Sequence, residues 1–217
     1  MKKVLTAFGL LLSSSAMATG FYTGGQLGIS SVSFANTYSM YDPHPSAHYT
    51  KYNDSAGSTG VVCGMYGGYR FDFRDFFISS ELDYNANTAT IKNSHRNMGI
   101  EYKQSPSLGL HAIVGLGFGN SSEIYGRIGY TETVFKFEPE TADNLSQKSE
   151  KLKGVVCGLG VQSHLNDQIS IRLDYKYTMY NKVTAEFLDS TNSTVYKDKF
   201  SIKPEMHSLT LAAQYSF

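Results

Sequence analysis

His44 and His48 stand four residues apart in YDPHPSAH, just after Asp42, and the same stretch contains His44-Pro45-Ser46. Imidazole and carboxylate groups bind zinc, and a hydroxyl beside an imidazole is the start of a nucleophile–base pair. Neither chemistry is completed. Pro43 and Pro45 prevent the helix that would align the two rings, and a hydrolase also needs a carboxylate fixed behind its base. In His207-Ser208 the two side chains would fall on opposite faces of an extended strand. No residue is therefore assigned as catalytic, as a metal ligand or as a cofactor contact, and no cofactor is expected.

Eight charged residues are of another kind. Arg70, Asp72, Glu81, Asp83, Arg127, Arg172, Asp174 and Lys176 each lie in a stretch whose alternate residues are apolar. Their chemistry is electrostatic: gathered on one face, such charges must be paired or wet. Tyr38, Tyr41, Tyr49 and Tyr52 lie among Ser, Asn and Asp within residues 35–59. Tyrosine supplies contact area at low entropic cost, so these four are candidates for recognising a partner. A polar surface segment of this length also occurs without any binding role, and the two readings stand side by side.

The elements that carry these residues have a period of two. In residues 60–73 one face is Val61, Cys63, Met65, Gly67, Tyr69, Phe71 and Phe73, and the other holds Gly64, Tyr66, Gly68, Arg70 and Asp72. The same pattern starts at Phe21, Phe76, Leu108, Ile124, Val155, Ile169 and His207, which makes eight strands. In the fifth of them the apolar parity decays beyond Thr131. Arg74-Asp75, the region of Asn120-Ser121-Ser122, and Asn166-Asp167 are expected as tight turns. Residues 35–59, 86–107, 138–152 and 184–206 are expected as long polar loops, the last continuing its two strands to a turn near 189–192. Such a projecting hairpin offers an edge to which another strand can add. The fold class is all-β: an eight-stranded antiparallel up-and-down transmembrane β-barrel.

A water-soluble barrel with an apolar interior would alternate in the same way. The apolar face here is free of charge through the middle of every strand, whereas the polar face mixes Gly and Ser with Arg, Asp, Glu and Lys. That face suits a crowded lumen, and the apolar one suits lipid. Phe73, Phe76, Phe118, Tyr215 and Phe217 gather at the turn ends, with Tyr84, Tyr175 and Tyr177 higher up. From Phe76 to Tyr84 is about 19 Å along the barrel axis, which fits an apolar band about 25 Å tall between aromatic girdles.

The 217-residue chain has 19 Lys and Arg against 19 Asp and Glu. A nucleic-acid partner would call for a basic surface, so none is expected. Lys2-Lys3, the apolar run Val4–Leu12 and Ala16-Met17-Ala18 read as a signal peptide over residues 1–18, leaving one barrel domain over 19–217. Cys63 and Cys157 share the outward parity on strands two and six, four strand steps apart. Neighbouring strands alone are about 4.8 Å apart and a disulfide needs Cα atoms within about 7 Å, so the pair is not expected to bond. Arg172 is expected to pair with Glu81 or Asp83.

The terminal SLTLAAQYSF, with Tyr215 and Phe217, resembles the last strand that outer-membrane proteins present to the barrel-assembly machinery. FYTGGQLGIS resembles the first strand of small OmpA/OmpX-type and opacity-protein-like barrels of Gram-negative bacteria. The resemblance implies an outer-membrane location, with membrane lipid, lipopolysaccharide and the assembly machinery as partners. It also implies a structural or surface-interaction role, adhesion or host contact through extracellular loops. The inward charges are then a salt-bridged plug, the alternative being a narrow small-solute channel. Lipid A acylases and deacylases share this scaffold. The His–Ser pair here lies in a polar segment, not on a lipid-facing strand as in the deacylases, so enzymatic activity is not expected.

Overall fold

The computed structural model of the chain describes residues 18–42, 48–74, 76–95, 98–119, 121–139, 148–191 and 194–217. Residues 1–17, which carry most of the expected signal peptide, and 43–47, which carry His44 and Ser46, lie outside them. The strands are β1 (Ala18–Asp42), β2 (His48–Asp72), β3 (Phe76–Asn87), β4 (Thr90–His95), β5 (Met98–Gln104) and β6 (Ser107–Phe118). They continue with β7 (Ser122–Pro139), β8 (Lys148–His164), β9 (Ile169–Tyr180), β10 (Val183–Thr191) and β11 (Thr194–Ser216).

Eight of these strands close a ring of antiparallel pairs in the order β1-β2-β3-β6-β7-β8-β9-β11, and β11 returns to β1. The closing ladder pairs Tyr22 with Ser216 and Leu27 with Leu211, and the amide of Phe217 donates to the Phe21 carbonyl at 3.0 Å. The turns are short because their chemistry is local. Phe73 N–H donates to the Phe76 carbonyl at 2.8 Å. Gly119 has φ +64°, which a residue without Cβ adopts freely. The Asn166 side-chain oxygen accepts from the amides of Gln168 and Ile169, an Asx turn.

Exposure alternates along every stave, with an almost wholly apolar face outside and the charged residues inside among aromatic and small ones. Leu27, Met65, Leu110, Ile128, Leu159 and Leu211 are exposed, while Glu81, Arg127, Arg172 and Asp174 are buried. Phe76, Phe118, Tyr215 and Phe217 ring one end on the outside, and Tyr84, Tyr130 and Tyr175 stand towards the other. This is the inverse of a water-soluble barrel. Cys63 and Cys157 are free and exposed, on β2 and β8.

The described parts of residues 35–59, 86–107 and 138–152 are mostly strand rather than loop, and 184–206 continues its two strands as expected. The β1–β2 ladder runs on to Asp42 paired with His48, and β10 pairs with β11 as far as Thr191–Thr194. Continued ladders give most backbone N–H and C=O groups of these segments a partner, which polar strand formers such as Tyr, Thr and Ser accept as well as apolar ones. Above the ring the wall divides into two four-stranded sheets, β2-β1-β11-β10 and β4-β5-β7-β8. The division falls where regular pairing breaks, at Thr88-Ala89, Ser105-Pro106 and Asn181-Lys182. Among the described residues, β10 pairs only with β11 and β4 only with β5.

At the base of this crown the sidedness inverts. Val32, Phe34, Ala89, Phe135, Leu152 and Tyr180 form a buried apolar cluster inside the wall, with the Phe34 and Phe135 rings 5.9 Å apart. Glu132, Lys151 and Lys153 stand outside. The parity that decays after Thr131 in the sequence is this inversion: Phe135 points in.

A closed ladder resists detergent until heated. The full chain should therefore migrate differently in unboiled and boiled samples on a denaturing gel, and identical migration would contradict the ring of pairs.

Candidate functional site

The lumen is built by inward residues of facing staves. β3 and β9 are four steps apart in the eight-membered ring, hence opposite one another. Glu81 on β3 accepts from Arg172 on β9 at 2.7 Å, from Arg127 on β7 at 3.0 Å and from the Tyr22 hydroxyl on β1 at 3.1 Å. Asp174 accepts from Arg127 at 2.7 Å and from the Tyr125 hydroxyl at 2.7 Å. Arg172 donates further to the Tyr125 oxygen at 3.0 Å and to Gln214 at 3.1 Å, with its guanidinium 4.6 Å from the Tyr66 ring centroid.

One level higher, Lys176 Nζ lies 3.3 Å from Asp83, again from β9 to β3, and 3.2 Å from the Gln26 side-chain oxygen. His111 Nε2 lies 3.1 Å from Asp83. The six deeply buried charges balance, with Arg127, Arg172 and Lys176 against Glu81, Asp83 and Asp174.

Arg70 and Asp72 sit lower, half-buried at the turn end. Arg70 binds Glu123 with both terminal nitrogens, at 2.8 and 2.5 Å, and Asp72 through Nε at 2.7 Å. Glu123 belongs to this group although sequence reasoning leaves it beside a turn. The signal is its parity, shared with Tyr125 and Arg127. Tyr22, Tyr66, Tyr125, Gln26 and Gln214 are likewise structural partners that the pattern of charges alone does not name.

The rings fit because glycines face them. A Cβ on Gly160 would lie 2.3 Å from the Tyr125 ring, and one on Gly68 2.5 Å from that of Tyr22. Between Arg70, Phe77, Tyr125, Arg172 and Gln214 a cavity of about 10 Å³ has room for about one water. Above it stands the apolar cluster of Val32, Phe34, Phe135 and Tyr180.

One Ser–His–carboxylate series exists at the turn end. Ser170 Oγ is 2.8 Å from His164 Nδ1, and His164 Nε2 is 3.2 Å from Glu123. The Ser170 residue is only 1% exposed and Glu123 is already held by Arg70, so the hydroxyl has no access to a substrate. The tyrosines picked out for recognition lie on ladders rather than in loops: Tyr38 is paired with Tyr52 and Tyr41 with Tyr49 in the crown. His48 opens β2 opposite Asp42, and among the described residues no group of His, Cys, Asp and Glu is arranged to hold a metal ion.

Residues 4–217 match the family model described as an outer membrane protein beta-barrel domain. Among solved structures, OprG of Pseudomonas aeruginosa is 15% identical, with 91% of this chain and 96% of that one covered and a TM-score of 0.49. Ail, the attachment invasion locus protein of Yersinia pestis, solved in complex with the heparin analogue sucrose octasulfate, is 13% identical over 89% and 99%, with a TM-score of 0.43. The protease OmpT of Escherichia coli is 11% identical over 94% and 100%, with a TM-score of 0.47. Comparison with curated proteins returns no match.

Removing one partner of a buried ion pair typically costs about 3–5 kcal/mol. Glu81→Gln and Arg172→Met should each destabilise the barrel on this scale, and the double substitution should cost clearly less than their sum. Urea unfolding of the refolded protein measures this, and additive losses would mean that the two charges do not act together.

Proposed function

The chain belongs to the outer membrane protein beta-barrel domain family, and on that premise we propose that it is a surface-interaction protein whose sealed barrel carries a rigid crown outside the outer membrane. The crown would meet host-cell molecules, or the lipopolysaccharide around it. The observation that carries this reading is the pair of four-stranded sheets projecting above the ring, joined at their base by the Phe34–Phe135–Tyr180 packing. Surface presented on ladders is ordered before a partner arrives, so less entropy is lost on contact. Tyr38, Tyr41, Tyr49 and Tyr52 are the candidate contact residues, and the open edges of β10 and β4 offer strand addition as a second mode. Two features weigh against a channel: the paired charges and aromatic rings that fill the lumen, and the apolar cluster above them. We read the protein as non-enzymatic, with Ser170 enclosed.

Tyr215 and Phe217 would also serve as the signal read by the barrel-assembly machinery, since they end the closing strand in the turn-end girdle.

Trimming the crown to short turns after Phe34 and before Pro204 should abolish adherence of expressing bacteria to epithelial cells while the heat-shifted band persists. Unchanged adherence would reject the crown as the contact surface. Planar-bilayer recording of the whole protein should show no steady conductance. Deleting Phe217 should lower outer-membrane levels several-fold in cells while detergent refolding still succeeds, and normal levels would remove this residue from the signal.

A further inference from the structure

The lipid face of the barrel is not uniform. At mid-depth across β9, β11, β1, β2 and β3 it dips into a shallow hollow, open to the lipid, of about 690 Å³. Pairing sets Ile171, Ala213, Gly25 and Met65 side by side, two small residues between two large ones. Leu27 and Leu211 form the upper wall, and Cys63 lies beside Leu27.

Nothing within the protein requires Gly25 to be small. A Cβ on the inward Gly24 would lie 2.4 Å from the Tyr66 ring, whereas one on Gly25 would meet only a backbone oxygen at 3.9 Å. The inward glycine makes room for the lumen; the outward one, set beside Ala213, leaves the floor of the hollow free of large side chains.

The surroundings say what would fill the hollow. Ala213 lies six residues below His207 on the same face of β11, about 14 Å along the axis and half of an apolar band of about 25–30 Å. At His207 the surface becomes polar. This ring stacks on Tyr177 at 4.7 Å and bonds the Tyr175 hydroxyl at 2.8 Å. Lys203, with its side chain 53% exposed, stands beyond it, 3.3 Å from Glu205. A chain whose head rests at this level reaches the hollow, and the Lys203 ammonium matches an anionic head.

We propose that the hollow binds one acyl chain of an anionic outer-leaflet lipid, lipopolysaccharide, with its phosphorylated head beside Lys203. A second copy of the barrel fits less well. In a two-fold dimer the same patch meets itself, so hollow would face hollow and enclose a void whose lining loses its contacts.

Native mass spectrometry of the full-length protein, extracted from outer membranes in mild detergent, tests the site. The wild type should retain one lipopolysaccharide molecule. Gly25→Leu with Ala213→Leu should lower retention at least tenfold, and Lys203→Gln several-fold. Gly126→Leu, at an outward glycine of β7 with its nearest atoms at 3.9 and 4.0 Å, should leave retention unchanged. Heat-shifted mobility reports that each variant is closed. Should the filled variant fail to close, thiol alkylation of the wild type decides. Lipopolysaccharide in the vesicle should slow the reaction of Cys63, beside the hollow, and leave that of Cys157 on β8 unchanged. Equal retention by the filled variant, no lipid on the wild type, retention of phospholipid instead, a dimer lost on filling, or equal slowing of both thiols would overturn the proposal.

Discussion

Within the apolar band a backbone amide has only the neighbouring strand to bond, because lipid offers neither donor nor acceptor. The first and last strands must therefore find each other, and the β1–β11 ladder from Tyr22–Ser216 upward meets that requirement. Closure with eight staves leaves an interior only wide enough for side chains. What faces inward must then be satisfied by what else faces inward. This is why Glu81 has three donors, why Arg127 and Arg172 share two carboxylates, and why glycines stand opposite the tyrosine rings.

Above the band water can bond the backbone, and the demand for a ring lapses. Staves can break, and they do so together at Thr88-Ala89, Ser105-Pro106 and Asn181-Lys182. The sheet separates into two, and the hydrophobic effect acts in its usual direction, with Phe34, Phe135 and Leu152 inside and Lys151 and Glu132 outside. A single strand such as β7 thus obeys two solvents in turn. It shows Ile124 and Ile128 to lipid, then turns Phe135 to the interior, without any change of backbone direction.

The eight staves and their facing are legible in the sequence because lipid on one side and packed polar groups on the other give a strong period of two. Of the crown, only the hairpin over 184–206 is legible; residues 35–59 are nearly all polar and their alternation leaves no mark in hydropathy. In β7 the mark is present but reversed, so the inversion looks like loss of pattern. Glu81 and Asp83 are both acceptable partners for Arg172 by face alone. The choice depends on the stagger between opposite staves, which sets Arg172 level with Glu81 and Lys176 level with Asp83. Glu123 escapes notice because it directly follows the Asn120-Ser121-Ser122 turn, where parity has no length over which to show itself.

The pairs joining β3 to β9 also have a mechanical consequence. A tube of eight staves can flatten into an ellipse with little strain on any one ladder, since each hinge angle changes only slightly. Glu81–Arg172 and Asp83–Lys176 connect walls on opposite sides, so flattening must shorten or stretch ion pairs shielded from water. The barrel then acts as a stiff inclusion in a fluid leaflet. A sideways force on the crown is transmitted to the hydrocarbon as tilt of the whole cylinder, and the membrane, being softer, absorbs the work.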